Sequence, residues 1–211
     1  MEHFSQKDFS NMSYVHRINL INSCSGYKSA NLIGTKSQNG ITNLAVFSSV
    51  THLGSDPAML GFFLRPTTVV RDTYNNIKET SVFTINHIHK SIIEKAHHTS
   101  AKYPSGISEF EASELVPEYL NQCHAPFVKD APVKMALDYV EEYHIKANNT
   151  ILIVGKITDM YIKEGLLQAD GFLDLSKGQI AAINGLDAYA IPSKKTRLAY
   201  QRPKSNLNIL S

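Results

Sequence analysis

Two segments of the sequence gather side chains that could hold a flat, phosphate-bearing ligand. The first, Arg65-Pro66-Thr67-Thr68-Val69-Val70-Arg71-Asp72-Thr73, sets two guanidinium groups and three hydroxyls before or at the start of a short helix. A helix start offers unpaired N–H groups and the positive end of the dipole, and so receives anions. Arg suits bidentate contact with phosphate oxygens better than Lys. The same residues also fit an ordinary helix entry, with Asp72 as cap and Arg71 paired to an exposed acid. The second segment is Thr42-Asn43-Leu44-Ala45-Val46-Phe47-Ser48-Ser49-Val50-Thr51. Strand alternation sends Leu44, Val46, Ser48 and Val50 to one face, which is nearly a core face. The other face, Asn43, Ala45, Phe47, Ser49 and Thr51, mixes an amide, a small residue, an aromatic and hydroxyls. It could seat a polar ring, or be a solvated edge with an incidental Phe.

Other chemistries find less support. Of the nine His, His87 and His89 share one face of a strand, while adjacent His97 and His98 diverge by about 100° on a helix. A metal needs three or four convergent ligands, so structural or surface roles are expected and no metal ligand is assigned. Cys24 and Cys123 are far apart and outside any CxxC spacing, which reads as two idle thiols in a reducing compartment. GxGxxG, P-loop, GxSxG and HExxH patterns are absent, which removes the usual Rossmann, P-loop, esterase and zincin readings.

The elements that must position these residues are mostly short and of period two. Strands are expected at 30–35 and 42–51, joined by a hairpin at Lys36-Ser37-Gln38-Asn39-Gly40, where Asn-Gly favours positive φ. Further strands are expected at 59–64, 81–87, 133–145 and 150–162. A helix is expected at 72–79, capped by Asp72 or Thr73, with Tyr74 and Ile77 inward. Another should run from about 90 to 101, and 109–128 should be helix and loop broken by Pro117 and Pro126. The 211 residues suffice for one sizeable core without a metal or disulfide staple. Twenty-one Lys+Arg against nineteen Asp+Glu give a net charge of +2, which argues against nucleic acid as a main partner. The start, MEHFSQKDFS, has no signal-peptide pattern and no long apolar run follows, so no membrane partner and a cytoplasmic location are expected.

Taken in order, a set of segments resembles the flavin reductase-like, FMN-binding split-barrel family, which includes flavoredoxin-type proteins. These are Gly26-Tyr27-Lys28-Ser29-Ala30-Asn31-Leu32-Ile33-Gly34-Thr35, Thr42 to Ser49, Ser55-Asp56-Pro57, Arg71-Asp72-Thr73-Tyr74-Asn75-Asn76-Ile77 and Ser81-Val82-Phe83-Thr84-Ile85-Asn86. Ser108-Glu109-Phe110-Glu111 and Gly185-Leu186-Asp187-Ala188-Tyr189 continue the likeness, which covers residues 12–203. The resemblance implies a mainly β fold with helices, a six-stranded antiparallel split β-barrel over residues 1–192, with 193–211 as a C-terminal extension. It also implies a homodimer with one FMN, or FAD, per subunit near the interface.

Carried over by position, Asn43, Leu44, Ala45 and Phe47 line the isoalloxazine ring. Ser48 and Ser49 bond its polar edge, ribityl chain or phosphate, although Leu44 and Ser48 fall on the face read above as core. Arg71 and Thr73 hold phosphate, with Lys28 nearby. The implied reaction is hydride transfer from NAD(P)H to flavin, then electron delivery to free flavin, a partner protein or another acceptor. Flavin carries that chemistry itself, so no acid–base pair is required and no catalytic residue is assigned. One departure stands out: where many two-component reductases carry Gly-Asp-His, this chain has Ala147-Asn148-Asn149. The alternative is a non-catalytic flavin- or haem-binding module for storage or sensing. The likeness would also bring Arg197-Leu198-Ala199-Tyr200 near a partner's flavin.

Overall fold

The computed structural model describes residues 1–104, 106–193 and 195–198. Two helices open the chain, α1 (Gln6–Asn11) and α2 (Tyr14–Cys24), followed by β1 (Lys28–Ser29), β2 (Asn31–Lys36), β3 (Thr42–Phe47), β4 (Thr51–Ser55) and β5 (Ala58–Leu64). Then come α3 (Asp72–Thr80), β6 (Val82–His87), a 3-10 turn at Lys90–Ile92, α4 (Ile93–His98) and α5 (Glu109–Ala112). The remainder is β7 (Pro117–Glu118), β8 (Phe127–Val128), β9 (Val133–Ile145), β10 (Thr150–Ile162), β11 (Ala182–Asn184) and β12 (Ala188–Ala190). Among the described residues no helix is long and apolar enough to cross a membrane.

The central sheet has seven antiparallel strands in the order β3-β2-β6-β9-β10-β5-β4, one more than expected. The extra strand arises because the expected strand 42–51 ends at Phe47, bends through Ser48–Val50 and restarts as β4. The long strands β9 and β10 take the expected bounds, with bulges after Val154 and Ile157. The helix expected at 90–101 shortens to the 3-10 turn and α4, and the Asn-Gly hairpin joins β2 to β3. Arg71, with extended backbone, is the N-cap of α3 in place of Asp72 or Thr73. Asp72 instead sits in the first turn, where a carboxylate complements the dipole.

Cross-strand partners share a face, so register fixes what points inward. Asn43, Ala45 and Phe47 stand opposite Thr35, Ile33 and Asn31 and look into the cluster formed by Ile33, Phe62, Phe83, Ile85, Leu137 and Ile153. Phe47 meets Phe62 edge-on at 4.9 Å between centroids, and Phe62 meets Phe83 at 5.6 Å. Since β3 is one edge of the strand order and β5 stands next to the other edge strand, β4, this contact requires the sheet to curl until its two sides face each other. Side chains, not a ladder, join them. Leu44 lies on the other face, in a second core with Leu32, Ile88, Ala96, Phe110 and Ile183.

Gly34 marks where the β2 backbone is pressed hardest. A Cβ there would lie 2.3 Å from the Pro126 carbonyl oxygen and 2.7 Å from Thr84 Oγ1. Thr84 itself donates to that carbonyl at 2.7 Å, so neither neighbour can retreat cheaply. Gly34→Ala is therefore expected to lower unfolding free energy by about 1–3 kcal/mol. The urea midpoint measures this, and a midpoint equal to wild type would refute the close packing.

Candidate functional site

A buried hydrogen-bond knot ties the start of α3 to the sheet. Asn43 Nδ2 donates to Thr73 Oγ1 at 3.0 Å and to Thr35 Oγ1 at 3.3 Å, and Asn76 Nδ2 donates to Thr35 Oγ1 at 3.1 Å. Four polar side chains from β2, β3 and α3 thus satisfy one another where water cannot. Above the knot, the first backbone bond of α3 runs from Asn75 N–H to the Arg71 carbonyl. The earlier N–H groups have no partner inside the helix. Arg71 is half-buried, and its Nε is buried without a hydrogen-bond partner. An unpartnered guanidinium N–H on the N-cap residue and open N–H groups in the turn that follows are donors of the kind an anion takes up.

β3 forms one edge of the sheet. Its Leu44 N–H bonds Glu109 Oε2 at 3.0 Å, and Thr42 and Ser108 hydroxyls meet at 2.7 Å, so α5 covers the beginning of this edge. Burial raises the Glu109 carboxyl above its ordinary range, and the Asp72 charge adds to the effect. Past Leu44 the strand is only partly covered at Ala45, Val46 and Phe47. Ser49 then hooks the bend to β5: its hydroxyl donates to the Phe63 carbonyl at 2.9 Å and accepts from Phe63 N–H at 3.1 Å.

The residues singled out from sequence are therefore divided. Asn43 and Thr73 are in direct contact, with Arg71 two residues from Thr73 in sequence. Leu44, Ala45, Phe47, Ser48 and Ser49 follow along the same edge and bend, Phe47 facing the inner core. Lys28 lies in the small β1-β11-β12 sheet, where its ammonium bonds the Asn22 carbonyl at 3.0 Å and the Gly185 carbonyl at 3.5 Å. Glu109, Thr35 and Asn76 escaped notice as site residues, since only the fold brings them against β3 and α3.

A cavity of about 250 Å³ opens between the 66–68 loop and the β9–β10 turn, lined by Thr67, Thr68, His144, Lys146, Asn149 and Ile151 among others. His144 Nε2 lies 3.1 Å from Glu142 Oε1. Glu142 also accepts from Tyr74, Tyr139 and Lys78. Burial works to raise its carboxyl, but the bonds from Tyr74, His144, Lys78 and Tyr139 outweigh that and hold it below the ordinary range. A wider cleft of about 480 Å³ between α1 and α2 is lined by His3, Phe4 and His16 and touches none of these groups.

Arg197, in the extension, bonds Gln168 and Asp170 and stacks 4.0 Å from the Phe172 ring, while Lys195 pairs with Asp174. Ala199 and Tyr200 lie outside the described residues. Among the described residues no three His, Cys, Asp or Glu side chains gather as a metal site. His89 Nδ1 engages Ser91, whereas His87 stands opposite Asn31 and its Nδ1 is buried without a partner.

Residues 26–179 match the model of the flavin reductase like domain family. The fold is similar to that of a candidate flavin reductase with a split barrel domain from Shewanella frigidimarina. The two share 45% identity, a TM-score of 0.92, and coverage of 95% of this chain and 100% of that one. It is also similar to flavoredoxin of Desulfovibrio vulgaris, at 20% identity, TM-score 0.71 and coverage of 82% and 91%. An FMN-binding protein from Thermus thermophilus gives 16% identity, TM-score 0.70 and coverage of 84% and 93%.

Burial holds the His87 imidazole down at about 4, against an ordinary 6.5. The folded value lies below the unfolded one, so its contribution to stability is complete above about pH 6.5 and is lost as pH falls toward 4. Wild type should lose on the order of 2–3 kcal/mol through this group between about pH 7 and pH 4.5. Urea unfolding at both pH values checks it: His87→Asn should lose markedly less on acidification, and equal losses would remove His87 as the cause.

Proposed function

The chain belongs to the flavin reductase-like domain family, and from that premise we propose that it binds FMN and passes electrons from NAD(P)H through the flavin to a further acceptor. The observation that carries this reading is the buried, unpartnered Nε of Arg71, the N-cap of α3, a helix whose first turn Thr73 ties to β3 through Asn43. These groups fit a flavin mononucleotide, which has one dianionic phosphate at one end and a flat ring with a polar rim at the other. Arg71 and the first N–H groups of α3 would hold the phosphate. Ala45, small and partly exposed, would let the ring approach the strand, with Asn43, Leu44 and Phe47 shaping that stretch. Ser48 supplies a hydroxyl toward the polar rim, while Ser49 keeps the bend in place through Phe63. Lys28 would join only by exchanging its carbonyl partners.

Bound flavin supplies the hydride-accepting and electron-donating chemistry; the protein's part is to bind, orient and limit water. The cavity holding Asn149, His144 and Lys146 supports a donor site. Asn149 is a neutral hydrogen-bonding group where many two-component reductases carry His, so it would hold a partner through its amide donors and acceptor and bring no charge of its own. A homodimer belongs to the same reading. Leu53 and Phe63 near the β4 edge, and Val69 and Val70 before α3, stay exposed in the single chain, and a second copy would cover such a patch.

Three measurements test the reading. The purified protein should be yellow or quench added FMN fluorescence; a colourless protein that does not respond to FMN would sink it. Arg71→Ala should weaken FMN by about 10- to 100-fold, the worth of a hydrogen-bonded charge, with riboflavin affinity nearly unchanged, because riboflavin has no phosphate. Oxidation of NADH or NADPH with added FMN separates a reductase from a storage or sensing module, which would bind flavin tightly and turn nothing over.

A further inference from the structure

The edge of β3 carries a constraint that the flavin reading does not by itself require. In an edge strand, alternate residues direct both N–H and C=O away from the neighbouring strand. Leu44 is one of these, because its N–H leaves the sheet to meet Glu109 Oε2 at 3.0 Å. By the same alternation Val46 is the next, about 7 Å further along at the strand rise. α5 packs on β3 and delivers Glu109 half-buried, so its carboxylate is shielded from the solvent that would otherwise screen it.

We propose that Glu109 is a positioning residue of the flavin site: it pins the β3 edge at Leu44 so that the Val46 edge groups stand ready for the ring's polar rim, and it sets a fixed negative charge beside them. The inference rests on the flavin reading. Its consequence is a preference for the oxidised ring. Reduced flavin tends to carry negative charge, and a carboxylate held at the same strand edge in partly buried surroundings would oppose that charge. Glu109 thereby biases the site toward giving electrons up, with no contact to the reacting atoms.

Two variants separate the pin from the charge. Glu109→Gln keeps an oxygen acceptor for Leu44 N–H and removes the charge, and Glu109→Ala removes both. In apo protein, Leu44 amide exchange followed by NMR should accelerate about tenfold or more in Glu109→Ala and stay near wild type in Glu109→Gln. Oxidised FMN should bind about tenfold more weakly to Glu109→Ala. In Glu109→Gln the ratio of reduced to oxidised FMN affinity should rise about tenfold, equivalent to a midpoint potential about 30 mV higher for a two-electron couple.

Unchanged Leu44 exchange in Glu109→Ala would overturn the pin, and an unchanged affinity ratio in Glu109→Gln would overturn the charge effect. In either case FMN binding by wild type would leave the flavin reading standing. If wild type binds no FMN, the flavin reading falls and this inference falls with it, whatever the Leu44 amide does.

Discussion

The hydrogen-bond knot of Thr35, Asn43, Thr73 and Asn76 is the constraint on which the candidate site depends. Each bond contributes only about 1 kcal/mol net, but leaving a buried amide or hydroxyl unpaired costs about 1–3 kcal/mol. The arrangement is therefore held less by the strength of any one bond than by the expense of every alternative. It fixes the first turn of α3 against β2 and β3, and so fixes where Arg71 and the open helix N–H groups lie relative to the strand edge.

Curvature of the sheet supplies the second constraint. The Phe47, Phe62 and Phe83 rings stack edge-on across the interior, and Ser49 extends the β5 ladder with its hydroxyl where β4 no longer reaches. Together they hold the bend after β3 without pairing β3 to β4. An edge left open in this way is ordinarily a liability that proteins cover. Here α5 covers only its beginning, and what remains is the stretch with unused backbone groups on the strand that the knot already positions.

The near-neutral composition is consistent with this division of labour. A site that borrows its redox chemistry needs one anion seat and an oriented strand edge, not a cluster of acid and base residues. Charge at the candidate site is accordingly local: the Arg71 guanidinium, whose Nε is buried without a partner, at the start of α3, and the half-buried Glu109 carboxylate at the edge of β3. The Glu142 cluster ties α3 to β9 through Tyr74 and Lys78. It therefore supports the same helix whose start carries the proposed anion seat.

How much of this was legible in the sequence follows from how local each signal is. Period-two alternation and the Asn-Gly turn gave the strands, with the bounds of β9 and β10 met in full and Tyr74 and Ile77 turned inward on α3 as helical spacing requires. Those features depend on neighbours within a few residues. The break of 42–51 into β3 and β4 was not legible, because the bend is held by Phe63, remote along the chain. Nor was the setting of the Asn43 face: alternation separates two faces but cannot tell that this one closes over a core, since that depends on the curl of the whole sheet. The ordered motifs were enough to identify the family, whereas residue types alone left Arg71 and Thr73 open between an anion seat and an ordinary helix entry. Only the tertiary structure tied Asn43 to Thr73, Thr35 to Asn76 and Leu44 to Glu109, because those contacts cross 30 to 65 positions of sequence and join elements that no local preference relates.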